Sequence, residues 1–206
     1  MGSDLIFSDT DIQKVLDEKI LIERLKQGDE AAFKTIVETW QKMVYNTALG
    51  IVQNEADAED IAQEVFVKVY HSINTFKGDS KFSTWLYRVT VAKAIDHERK
   101  KKSKKRFAFV TSLFGNDGEE VIHPADFNHP GVSLDKKETT AILFAAVKEL
   151  PEKQRIAFTL NKLEGLSHAE VSEVMHISVT AAELLVHRAK TNLRKKLADF
   201  FNKEYK

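Results

Sequence analysis

Rings and cations crowd one stretch of this 206-residue chain, Lys81 to Arg106, which reads KFSTWLYRVTVAKAIDHERKKKSKKR. Phe82, Trp85 and Tyr87 fall within six positions, and Arg99, Lys100, Lys101, Lys102, Lys104, Lys105 and Arg106 follow. Bases can stack on such rings, and such cations can track phosphates, which are the ingredients of nucleic-acid binding. A buried aromatic helix with a solvated basic end fits the same residues, and this stretch alone leaves both readings open.

Other groups that could do chemistry are sparser. Glu55, Asp57, Glu59 and Asp60 crowd the start of an apolar-striped segment, where a helix dipole favours negative charge. They lack a calcium-type ligand loop and no His is set among them, so a metal site is not expected. Asp60, Gln63 and Glu64 project away from much of the apolar stripe and form a candidate docking face. His123 and His129 have no third ligand in view. The chain contains no cysteine, which excludes disulfides and thiolate metal sites and fits a reducing interior. No cofactor and no catalytic constellation are expected.

Charge is segregated along the chain. Residues 1–76 hold fourteen acidic against seven basic side chains, and residues 77–106 hold eleven basic against three acidic. Because the formal net charge of the whole is zero, the basic middle points to a local anionic partner and not to general stickiness. No apolar run approaches a membrane span and no signal peptide is legible, so the expectation is a soluble cytoplasmic protein without membrane insertion.

Helical periodicity must position these groups. Met1 to about Glu18 reads as a mobile or lightly packed lead-in. A short helix follows from Lys19 to near Gly28, and Asp29 looks like the N-cap of the next, which runs to Gly50 with Trp40 in its core stripe. Ala58, Ile61, Val65, Phe66 and Val69 line one face of a helix over 54–73. Lys77-Gly78-Asp79-Ser80 reads as a turn. The central helix starts at about Phe82, and since Phe82, Trp85, Leu86 and Val89 are spaced to pack inward, the rings cannot all be stacking platforms. Past Arg106 the pattern collapses into a linker containing Gly115, Gly118, Pro124, Pro130 and Gly131.

The last third is helical again. A helix over 135–149 stops before Pro151, which suits the first position of a helix running to about Leu163. Ser167 and Glu170 make a capping box for a short helix to Met175, His176-Ile177-Ser178 is a tight connector, and a longer helix runs from about Val179 to Phe200. That is a helix-turn-helix, held together by Ala169, Val171, Val174, Ile177, Ala182 and Leu185, whose second helix would enter the major groove. An ordinary helical hairpin remains the alternative.

Taken together, DAEDIAQEVFVKVY, FSTWLYRV, AIDHERKKK and LPEKQRIAF…GLSHAEVSEVMHIS resemble the bacterial RNA polymerase sigma factors of the extracytoplasmic-function type. The similarity spans about Asp29 to Arg106 and Leu134 to Leu197. It implies an all-α fold of two helical domains: a lead-in over 1–18, sigma region two over 19–106, a flexible linker over 107–133 and helix-turn-helix region four over 134–206. It implies a sigma factor that binds core RNA polymerase, directs it to promoter DNA and assists melting, and that is not an enzyme. Asp60, Gln63 and Glu64 would then dock on the polymerase clamp helices. Lys77, Ser80, Lys81, Phe82, Trp85, Tyr87 and Arg88 would hold the non-template strand of the minus-ten element, with Arg99, Lys100, Lys101 and Lys102 on its backbone. Thr180, Ala181, Glu183, Leu184, His187, Arg188 and Lys190 would face the minus-thirty-five element. The family usually has an anti-sigma factor that occludes its polymerase-binding surfaces.

Two departures from the family pattern stand out. Ala92 replaces a common Asn that could read a base edge, which implies a relaxed or shifted minus-ten preference. His176 occupies a turn position usually held by Gly, and Glu183 and Leu184 stand where polar or basic groups are common, which implies an unusual upstream motif. A helix-turn-helix regulator working without polymerase would explain the last third but not the acidic helix or the aromatic-basic stretch. A metal-dependent nuclease would need converging carboxylate or His ligands that no spacing here supplies.

Overall fold

The computed structural model describes residues 9–114 and 142–204, and among these the structure is helical with no strand. The N-terminal body comprises α1 (Asp9–Lys26), α2 (Glu30–Val52), α3 (Glu55–Ser72), a 3-10 turn (Ile73–Thr75) and α4 (Phe82–Phe114). The C-terminal body comprises α5 (142–148), α6 (Glu152–Phe158), a π-helical turn (Thr159–Leu163), α7 (His168–Met175) and α8 (Val179–Glu204).

Local chemistry sets the helix ends. Asp29 caps α2 by accepting the Ala31 and Ala32 N–H groups, and Asn54 caps α3 through the Asp57 N–H. Gln53 closes α2 in the left-handed region, and its side chain donates to the Gly50 carbonyl at 2.6 Å. Ser167 and Glu170 form the expected capping box of α7. His176 ends α7 at φ 52°, ψ 48°, the conformation a glycine adopts without a Cβ penalty.

Three boundaries differ from expectation. The short helix expected from Lys19 is the second half of α1, which starts at Asp9. Lead-in and first helix are therefore one element from that point. Pro151 stands one position earlier than expected, as the N-cap of α6. Helix α4 continues past Arg106 to Phe114, through the first eight residues of the expected linker. Turn residues mark loops, but the linker's first glycine is Gly115, and nothing before it breaks the helix. The rest of the linker, His123 and His129 included, lies outside the described residues.

The apolar stripes of α2, α3 and α4 face one another around Ile36, Val44, Ile61, Val65, Phe82 and Leu86, each almost wholly buried. This cluster does not stop at the N-terminal body. Ile156, Leu160, Val171 and Val174 belong to the same continuous core, so the two bodies are packed together. A satellite cluster of Val147, Leu150, Ala189 and Leu193 ties α5 to α8. Within the helix-turn-helix, Val171, Val174 and Ala182 are buried as expected. Ala169 is exposed instead. Val186 of α8 is buried in the continuous core.

Because His176 carries a Cβ in the left-handed region, His176→Gly should raise stability by up to about 1 kcal/mol, the relieved strain exceeding the entropy cost of glycine. His176→Val should lower it. Urea denaturation midpoints compare the three proteins.

Candidate nucleic-acid interface

The aromatic-basic stretch begins where α4 meets the N-terminal body. Phe82 is fully buried. Its ring lies 5.0 Å from Trp40 and 5.5 Å from Phe76, both edge-on, and stacks 5.6 Å from Trp85. Phe82 is thus the centre of an aromatic knot and offers no face to a base, which corrects its placement among the strand-binding rings. Burying this ring on three neighbours outweighs its use at the surface. Trp85, on the knot's outer side, is half-buried. Burial pushes the Glu18 carboxyl up, while the Phe82 backbone and Lys81 pull it down.

Tyr87 is buried, and its hydroxyl donates to the Glu164 carboxylate at 3.2 Å. Arg88 is half-buried and donates through Nε to the Glu173 carbonyl at 3.1 Å, while exposed Lys81 reaches Glu170 at 3.4 Å. Burial and the neighbouring Glu164 carboxylate push the Tyr87 phenol up. Glu164 is itself pushed up by the same burial, against the pull of the Tyr87 hydrogen bond. Lys77 is exposed and Ser80 half-buried in the turn at Gly78 (φ 82°). Ala92 is exposed on α4.

The basic run divides. Arg99 and Lys100 are exposed. Lys101 pairs with Asp57 at 2.5 Å, and Lys102 lies 3.6 Å from Glu98. Asp57 also sits 3.2 Å from His97 Nε2. The acidic start of α3 therefore neutralises part of the run expected to lie on phosphate.

Asp60, Gln63 and Glu64 come together as expected, exposed on α3. With Val67, Lys68, His71, Lys93 and His97 they line a groove of about 490 Å³. Val67 is the one apolar side chain among these lining residues and is 57% exposed. The α3 members could have been found from their three- and four-residue spacing. Lys93 and His97 could not, because they come from α4. Lys93 donates to Glu64 at 2.9 Å, and this bond holds the Glu64 carboxyl below the usual range.

On α8, Thr180, Glu183, Leu184, His187, Arg188 and Lys190 are exposed and Ala181 is half-buried. Ala182, Val186 and Ala189 are buried on the opposite face. The helix thus presents one free face of the kind that enters a major groove. Ser178 accepts the Ala181 N–H at 3.2 Å, which fixes the helix start. Glu183 lies 3.8 Å from His168 Nδ1. Lys162 sits beside Lys190, and this like charge lowers the Lys190 ammonium below its ordinary value.

Two family models match the chain: Sigma-70 region 2 over residues 36–104 and Sigma-70, region 4 over residues 140–193. The chain is 33% identical over 180 residues to the ECF RNA polymerase sigma factor SigW of Bacillus subtilis, covering 86% of this chain and 95% of that protein. It is 31% identical over 179 residues to the RNA polymerase sigma-H factor of Pseudomonas aeruginosa, covering 86% and 92%. Among solved structures it is similar to CnrH in complex with the cytosolic domain of CnrY, with a TM-score of 0.63, 22% identity and coverage of 87% and 96%. It is also similar to the sigma factor RpoE bound to the anti-sigma factor NepR from Bartonella quintana, with a TM-score of 0.57, 23% identity and coverage of 81% and 96%.

The Glu64–Lys93 bond makes a prediction with a definite sign. A depressed carboxyl contributes stability above its ordinary pKa and loses it as pH falls through the lowered value. Carbon-13 titration of the Glu64 side chain should give a midpoint below that of an ordinary glutamate. In Lys93→Met the midpoint should move upward.

Proposed function

This chain belongs to the ECF RNA polymerase sigma factors, and from that membership we propose how its surfaces share the work. It binds core RNA polymerase and directs it to promoter DNA. No described helix is long and apolar enough to cross a membrane. The place of work proposed is the cytoplasm, beside the polymerase.

In this proposal the residues divide as follows. The N-terminal body is region two, and its α3 groove, with Asp60, Gln63 and Glu64, is the polymerase-docking face. The turn at Lys77 and Ser80, together with Lys81, Trp85, Tyr87 and Arg88, captures the unpaired non-template strand. Unstacking of its bases is offset by stacking on the protein and by charge. Arg99 and Lys100 track phosphates. Lys101 and Lys102 contribute where they leave Asp57 and Glu98. The C-terminal body is region four, reading the upstream element through Thr180, Ala181, Glu183, Leu184, His187, Arg188 and Lys190. Leu184 suits a thymine methyl and Glu183 a cytosine amino group. An anti-sigma factor is proposed as the negative partner. CnrH is known in complex with the cytosolic domain of CnrY, and the Bartonella RpoE in complex with the anti-sigma factor NepR.

The observation that carries this reading is the pairing, in one chain, of an α3–α4 groove lined by Asp60, Gln63, Glu64 and exposed Val67 with a free helix-turn-helix face. A regulator acting without polymerase would leave the groove without a task. Run-off transcription from a randomised promoter library, with core polymerase alone and with this protein, tests it. Selective transcripts should appear only when the protein is added. Duplex binding without such transcripts would favour the polymerase-independent regulator.

Two variants refine the assignment. Arg188→Ala should weaken upstream-element binding by roughly 1–3 kcal/mol, the value of a bidentate base contact. Unchanged binding removes Arg188 from the readout. Lys100→Gln should flatten the salt dependence of strand binding by about 0.7 in log–log slope, the share of one released counterion on a single strand. An unaltered slope makes Lys100 a solvated charge.

A further inference from the structure

The half of α8 proposed to read bases brings little positive charge to a polyanion. Val179 to His187 include no Lys or Arg, and their one carboxylate is Glu183. The grip on phosphates, which dominates affinity for DNA, has to come from cations outside that half.

The C-terminal body assembles such cations from two elements. The chain leading through α6 runs antiparallel to α8: Glu149 pairs with Lys196, and Gln154 accepts from the Asn192 amide at 2.8 Å. Phe158, at the end of α6, packs against the cluster that holds Ala189 and Leu193. Lys162 follows Phe158 by four residues, about one turn on, and so emerges along the same side of α8, beside exposed Lys190. The two ammonium groups meet there, near enough for each charge to oppose the other. No described carboxylate forms an ion pair with either lysine. Glu164, two residues beyond Lys162, is turned to the Tyr87 hydroxyl at 3.2 Å, and Glu183 lies 3.8 Å from His168 Nδ1. Like charges brought together from separate elements without a counter-charge are unfavourable in the free chain, and an anion seated between them removes that cost.

We propose that Lys162 and Lys190 clamp one backbone phosphate at the edge of the upstream element, which makes Lys162, in the π-helical turn ahead of the helix-turn-helix, a DNA contact. A phosphate held from two elements fixes the register in which α8 enters the groove and carries no base information. Lys190 then serves the backbone, and base choice falls to the other exposed residues of α8. This inference rests on the region-four reading given above.

The test uses holoenzyme assembled from core polymerase and the full chain, and a fluorescent duplex bearing the promoter selected by run-off transcription. Binding is followed across a range of salt concentrations, and on single-base variants of the upstream element. Lys162→Gln should lower the log–log salt slope by about 0.9 and weaken binding about eightfold at about 0.1 M salt, the share of one released counterion on a duplex. The loss should be the same factor on every upstream variant. Lys162→Glu should weaken binding further yet raise the melting temperature of the free chain, because the new carboxylate pairs with Lys190. Lys153→Gln, which removes an exposed cation earlier on α6, should leave slope and affinity unchanged.

An unaltered slope in Lys162→Gln overturns the clamp, and so does an equal loss in Lys153→Gln, which would make the effect one of diffuse charge. A Lys162→Gln loss that differs among upstream variants overturns the phosphate assignment in favour of a base contact. A lower melting temperature in Lys162→Glu overturns the juxtaposition with Lys190. Unsubstituted holoenzyme that is indifferent to changes in the upstream element overturns the region-four reading itself.

Discussion

Phe82 sits with no exposed surface among Trp40, Phe76 and Trp85, and the working surfaces depend on that burial. The ring anchors the first turn of α4 between α2 and the segment after α3, so it fixes both where α4 begins and how it is rotated. Once that rotation is set, helical geometry places Tyr87 and Arg88 towards the C-terminal body and Lys93 and His97 towards α3. A central ring of this kind buries a large apolar area at low entropy cost and packs edge-on with its neighbours. The aromatic cluster therefore works mainly by orienting the helix on which other groups act.

Charge then settles what each face of α4 does. Three carboxylates of the C-terminal body or of α3 meet cations on α4 or just before it: Glu170 meets Lys81, Glu64 meets Lys93 and Asp57 meets Lys101. These pairs are largely solvent-exposed and individually weak. Their value lies in exchange, since a surface ion pair can be replaced by a phosphate or by a partner's side chain at little cost. Arg155 and Glu98 differ. Arg155 is buried and Glu98 half-buried across the boundary between bodies, where a pair adds little net stability but removal of one partner is costly.

Two residues look out of place. Gly50 lies inside a helix, where glycine weakens the element, yet its missing side chain admits Thr159. His176 ends α7 in a left-handed conformation without being glycine. The first exception is accounted for by a close approach between bodies. The structure shows no contact that accounts for the second.

Much of this was legible in the chain because it is local. Asp29 and the Ser167–Glu170 box announced two helix starts, three- and four-residue spacing announced the buried stripes, and the α7–turn–α8 pattern followed from both. The segregation of acid from base is simply written in order. Three facts were not legible: that Phe82 is core while Trp85 is half-exposed, that Lys101 is partnered, and that Tyr87 lies under Glu164. Periodicity says that a residue faces inward on its helix, but not which element covers it. The partners stand 44 and 77 residues away in the chain, and only the packing of one stripe against another brings them together. The sequence by itself thus determined most of the helices, the caps at Asp29 and Ser167, and the family. The tertiary structure decided which rings and cations remain available to a ligand, because availability depends on what packs over a side chain.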